Sequence, residues 1–159
     1  MDEKDIDSKL RVFEKKHHYN WQYLAYKLRK HLDLWALKNV KNPSGEMKQS
    51  YLPVIFNINL NGSTASKITR RSMVIKQNLS QTIRELKKTG MIVTETDNKD
   101  KRSERLYLTP EGKHVVLDAH LELDKLQKEY ARLVGEDELK TAVDVLLKLI
   151  AYHEKLDEV

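Results

Sequence analysis

The sequence has no cysteine, only five glycines and three prolines, and no apolar run near the length of a membrane span. The first absence excludes disulfides, thiolate metal sites and thiol redox sensing. Scarce helix breakers in a Leu-, Lys- and Glu-rich chain point to a mostly helical protein. With no run of about eighteen apolar residues and a charged start, MDEKDIDSKL, no membrane partner and no signal peptide are expected, so the reading is cytoplasmic. Catalytic signatures are missing too: there is no P-loop, GxGxxG, HExxH or GxSxG, and no enzyme is expected. Histidines at 17, 18, 31, 114, 120 and 153 include no i, i+4 pair, so neither metal nor other cofactor is expected.

What is present is charge on a chain able to fold. The 159 residues are 40% hydrophobic, enough for one domain, alone or with helical extensions. Net charge is +5, unevenly placed. Residues 61–110 hold 11 basic and 5 acidic groups, whereas 111–159 hold 7 and 12. A basic middle and an acidic tail fit a nucleic-acid face on a scaffold of different charge.

Periodicity orders the elements. Ile6, Leu10 and Phe13 have helical spacing over residues 3–18. Asn20 is placed to cap a second helix with an apolar stripe of Trp21, Leu24, Leu28, Leu32 and Trp35, ended by KNPSG at 41–45. The apolar run at 50–60 fits a strand by pattern, but Pro53 in its first turn favours a helix. Ser63 or Thr64 can cap a short helix to about Arg71, and a second helix runs from about Ile75 to Lys88 and stops at Gly90. Its apolar face is Leu79, Ile83 and Leu86, and its polar face carries amides and bases. Two short helices joined this way read as helix-turn-helix. MIVTETD (91–97) and RLYLT (105–109) read as a hairpin. Thr109, Pro110 and Glu111 then signal a helix start, Gly135 breaks that helix, and EDE at 136–138 opens the last one.

The hairpin loop in DNKDKRSERLYLTPEG, residues 97–112, gathers Lys99, Lys101, Arg102 and Arg105 among acids. It is no calcium loop, because the sixth position from Asp97 is Arg102 rather than glycine and the twelfth is Leu108 rather than glutamate. A solvated hairpin is the bland alternative; directly after a helix-turn-helix, the hairpin reads as a wing. At this point the chain resembles the MarR family of winged-helix transcriptional regulators. The resemblance rests on ITRRSMVIKQNLSQTIRELKKTGMIV, on DNKDKRSERLYLTPEG and on GEDELKTAVDVLLKLI, in that order. It departs where Lys101 stands for the usual first wing arginine, Met73 for a small turn residue and Ile75 for a capping residue.

Fold and function follow as expectations. The class is mainly α with a small β-hairpin wing, a winged helix-turn-helix flanked by N- and C-terminal dimerisation helices. Residues 1–45 and 111–159 hold those helices and 46–110 the DNA-binding domain. Gln77, Asn78 and Gln81 are suited to adenine edges in a major groove, and Lys76, Arg84 and Lys88 to phosphates. Lys99, Lys101 and Arg102 would enter a minor groove, with Asp100 orienting Arg102 by a charge-assisted hydrogen bond. Double-stranded DNA and a second copy of the chain are the expected partners. The resemblance further implies a palindromic operator, repression, and a small-molecule effector, for which Trp21, Tyr23, Tyr26, Trp35 and Tyr51 are the candidate lining. The competing reading is a winged helix that docks another protein without specific DNA binding.

Overall fold

The computed structural model describes residues 2–16, 19–43, 45–96 and 103–157. In chain order the elements are α1 (Glu3–Lys16), α2 (Trp21–Asn39), α3 (Leu52–Ile55), β1 (Ser63–Thr64), α4 (Ala65–Ser72) and α5 (Lys76–Lys88). They continue with β2 (Ile92–Thr96), β3 (Glu104–Leu108), α6 (Pro110–Val134) and α7 (Glu136–Asp157). The expected class, mainly helical with a hairpin wing, is the one observed. The chain forms two compact units, residues 1–115 and 116–159.

In the first unit, local chemistry sets the helix ends. Asn20 is extended and its side chain accepts the Tyr23 N–H at 3.0 Å, which caps α2 as its position implied. Pro53 lies in the first turn of α3, so the apolar run at 50–60 is helical there, though for a single turn. Leu52, Val54 and Ile55 of that turn are buried. The Gly90 stop of α5 is a Schellman cap. Gly90 has φ +73°, its N–H reaches the Lys87 carbonyl and the Met91 N–H reaches that of Leu86, both at 3.1 Å. Thr109 caps α6 by accepting the Gly112 N–H at 3.0 Å.

Two local expectations are corrected. Thr64 occupies the cap position of α4 without making a side-chain cap bond. Ser63, fully buried, accepts the Asn59 N–H at 3.0 Å and so closes the preceding turn instead. The same two residues form β1, so the hairpin is the larger part of a three-stranded antiparallel sheet of order β1-β3-β2. Ser63 faces Leu106 and Thr64 faces Arg105. A two-residue strand has no periodicity to read, and its partner lies far along the chain. Arg105 is corrected with it: it belongs to β3, not to the wing loop, and its guanidinium donates to the Gly62 carbonyl at 3.3 Å.

The core of this unit is apolar and gathered around α5 and the sheet. Ile55, Ile68, Leu79, Leu86, Met91, Ile92, Leu106 and Val115 are fully buried. α1, by contrast, buries no residue, and Ile6, Leu10 and Phe13 stay exposed.

The second unit holds the rest of α6 and α7, separated at Gly135 with φ +92°. Glu136, Asp137 and Glu138 place negative charge at the N-terminus of α7, where the helix dipole favours it. Among the described residues of this unit only Ala119 is buried. Leu146, Leu147 and Ile150 are 41%, 58% and 49% exposed.

Candidate nucleic-acid interface

The helix-turn-helix is α4, a turn and α5. The turn depends on Met73, which adopts the left-handed region at φ +53° and points into solvent. Such a backbone costs a residue with a Cβ roughly 1–2 kcal/mol. Ser72 links α4 to the turn, its hydroxyl donating to the Ile68 carbonyl at 2.7 Å and accepting the Val74 N–H at 3.4 Å. Ile75 is the N-cap residue of α5 and makes no side-chain cap bond, as its type implied.

α5 is seated by its back. Leu79 and Leu86 are buried, Ile83 is half-buried, and buried Thr82 donates its hydroxyl to the Asn78 carbonyl at 3.0 Å. That leaves Gln77, Asn78, Gln81, Arg84 and Lys88 exposed on the other side, and Lys76 as the first helical residue. The structure therefore brings Gln77, Asn78, Gln81, Arg84 and Lys88 onto one open face. At its C-terminal end α5 is tied to the sheet, with Lys87 Nζ donating to Thr94 Oγ1 of β2 at 2.7 Å. Strands β2 and β3 pair in register from Ile92 opposite Leu108 to Thr96 opposite Glu104. The wing residues Lys99, Asp100, Lys101 and Arg102 lie outside the described residues.

The candidate effector aromatics do not share one environment. Trp21 and Tyr26 are 57% and 61% exposed on α2, Tyr23 and Trp35 are half-buried, and Tyr51 is a core residue.

Sequence reasoning missed a polar cluster beneath α5. Glu85 Oε2 accepts from Lys48 Nζ at 2.8 Å and from the Tyr51 hydroxyl at 3.1 Å. Its other oxygen, Oε1, accepts from Gln81 Nε2 at 3.2 Å. Hydrogen bonds from Lys48 and then Gln81 hold the Glu85 carboxyl below its ordinary value. The bond to Glu85 in turn raises Lys48, while burial and then the bond to Glu85 push Tyr51 up. Next to Lys48, Gln49 donates its side-chain amide to buried Asp33 of α2, which also accepts from Arg29 Nε at 2.7 Å. The Gln81–Glu85 spacing was readable as an i, i+4 pair. Nothing local announced Lys48, which is 37 residues away.

Comparisons with known proteins agree with this architecture. Residues 47–103 match the sequence model of the MarR family. The transcriptional activatory protein BadR of Rhodopseudomonas palustris (strain ATCC BAA-98 / CGA009) is 27% identical over 101 residues, covering 62% of this chain. The aligned part spans 57% of BadR, a little over half its length. Among solved structures, the MarR family transcription regulator SP03579 superposes with a TM-score of 0.75 at 18% identity, covering 92% of this chain and 97% of that one. The transcriptional repressor CouR, bound to a 23-mer DNA duplex, gives 0.67 at 18% identity, covering 85% and 95%. The matched segment is thus similar to the MarR family, and the winged-helix fold around it is the fold of these solved regulators.

Proposed function

We propose that this chain is a sequence-specific double-stranded DNA-binding regulator of transcription that acts as a homodimer. One observation carries the reading: α5 buries Leu79 and Leu86 and turns Gln77, Asn78, Gln81, Arg84 and Lys88 outward in a segment rich in positive charge. Amide side chains on such a face fit adenine edges, and the cations fit phosphates. Lys99, Lys101 and Arg102 of the wing loop supply the charge that a narrow minor groove attracts, with Asp100 orienting Arg102.

The dimer has its own support. Leu146, Leu147 and Ile150 of α7 and Leu117 and Leu121 of α6 are exposed, and apolar helix faces of this kind are stable when a second copy covers them. Residues 1–45 and 111–159 then form the dimerisation helices around the reading domain at 46–110. Two recognition helices related by a two-fold axis read a palindrome with half-sites about 10–10.5 bp apart. A dimer seated there occludes a promoter, which is repression in its simplest form, although the relative BadR is named an activator.

Selection of bound duplexes from random DNA by the purified protein tests the reading. The expected result is an enriched palindrome whose affinity falls steeply with salt. Uniform weak binding, or binding indifferent to salt, overturns it and favours protein docking.

A further inference from the structure

We propose that Glu85 is a positioning residue for base reading, and that Lys48 and Tyr51 hold it so that Gln81 meets DNA in a single orientation. The proposal deepens the DNA-binding reading and rests on it. Gln81 stands on the open face of α5, one turn before Glu85. Its amide nitrogen donates to Glu85 Oε1 at 3.2 Å, which fixes which end of the amide is which. One N–H is thereby engaged, while the second N–H and the carbonyl oxygen remain available. An amide recognises adenine by presenting one donor and one acceptor side by side, so a flipped or rotating amide loses discrimination.

Glu85 cannot do this alone. A carboxylate on a DNA-facing helix would swing freely and repel phosphates. Here its second oxygen is fixed by Lys48 at 2.8 Å and by Tyr51, whose ring is buried, at 3.1 Å. Lys48 also lies over the Tyr51 ring, its Nζ 5.7 Å from the centroid. The Lys48 cation offsets the carboxylate charge, and the buried ring supplies an anchor that does not move with the surface. Lys48 and Tyr51 come from the segment before α3, so α5 is oriented by a part of the chain outside the helix-turn-helix itself.

The test is a double-mutant cycle read as base preference. Wild type, Gln81→Ala, Glu85→Leu and the double variant are each put through duplex selection, with thermal melting as a check that all four fold. If Glu85 acts through Gln81, each single variant loses about tenfold discrimination at the same base position. The double variant then loses no more than either, and Glu85→Gln, which keeps an acceptor for the amide, restores part of the loss. Losses that multiply, or fall at different positions, overturn the proposal. A wild type that selects no sequence defeats the DNA-binding reading instead. The positioning claim is then decided by the Gln81 side-chain amide NMR resonances, which must move on Glu85→Leu; unmoved resonances overturn it.

Discussion

Gly112→Ala is the most informative single perturbation of the scaffold that carries α5. A Cβ at Gly112 would lie 2.0 Å from the Met91 carbonyl oxygen and 3.0 Å from its carbon, both backbone atoms. Carbon and oxygen approach comfortably only to about 3.3 Å, so one backbone must retreat by more than 1 Å. The oxygen that would move accepts the Thr109 N–H at 3.0 Å and lies 3.2 Å from the Thr109 hydroxyl. Thr109 in turn caps α6 through the Gly112 N–H.

Two weakened hydrogen bonds cost about 1 kcal/mol each, the disturbed cap about 1 kcal/mol, and residual overpacking about 1 kcal/mol or more. Replacing glycine by alanine returns about 0.4–1 kcal/mol through the unfolded chain. The net expectation is a loss of about 3 kcal/mol. Urea unfolding at one fixed protein concentration measures it as a lower midpoint with an unchanged slope. Gly90→Ala is the comparison, because its φ of +73° is strained for alanine yet its Cβ meets nothing closer than 3.8 Å. It should cost only about 1–2 kcal/mol. A Gly112→Ala protein within about 0.5 kcal/mol of wild type, the scatter of ordinary surface changes, refutes the clash argument, and so does the reverse ranking of the two variants.

Arg84→Ala is expected to weaken binding to all duplexes alike and to lower the slope of log affinity on log salt by about one, whereas Gln77→Ala or Asn78→Ala should change base preference by roughly 1–3 kcal/mol; a salt series on matched and mismatched duplexes separates the two classes. Arg102→Ala should lose affinity most on A·T-rich flanks, where the minor groove is narrow, and equal loss on G·C-rich flanks would count against wing insertion. Leu147→Glu together with Ile150→Glu should shift the protein to monomers in light scattering, and an unchanged mass removes α7 from the interface. The Lys48–Glu85 pair makes a pH prediction with a fixed sign. Glu85 is held low, so its stabilisation is present above the ordinary value of 4.5 and disappears as pH falls through the lower folded value. Lys48 is raised, so its share is present below 10.5 and disappears as pH rises through the higher folded value. Lys48→Met should therefore lower the urea midpoint at neutral pH and converge on wild type in acid; a constant gap across that range denies the pair any role.

The parts of this molecule legible in its sequence are those in which cause and effect sit within about a turn of each other. Asn20 reaches Tyr23, Thr109 reaches Gly112, and Gly90 closes on Lys87. In each case one residue type supplies the missing donor, acceptor or backbone conformation for a neighbour three or four positions away. The apolar back of α5 was readable for the same reason, since Leu79 and Leu86 share a face by helical geometry alone. Where the partner is remote, the pattern is silent. Ser63 and Thr64 looked like helix caps because a two-residue strand leaves no periodic trace, and only Leu106 and Arg105 opposite them reveal β1.

The candidate site divides along the same line, and the division bears on how it works. Residues that would touch DNA could be named from helix spacing and side-chain chemistry, because exposure on one face is a local property. What orients them could not. Glu85 reads in sequence as one more charge on a wet helix, and only the folded chain sets Lys48 and Tyr51 against it. Lys48 and Gln49 are adjacent, and the second is bonded to Asp33 of α2. Gln81 of the proposed reading face and Asp33 of α2 are thereby linked through Glu85, Lys48 and Gln49, none of which lies on that face.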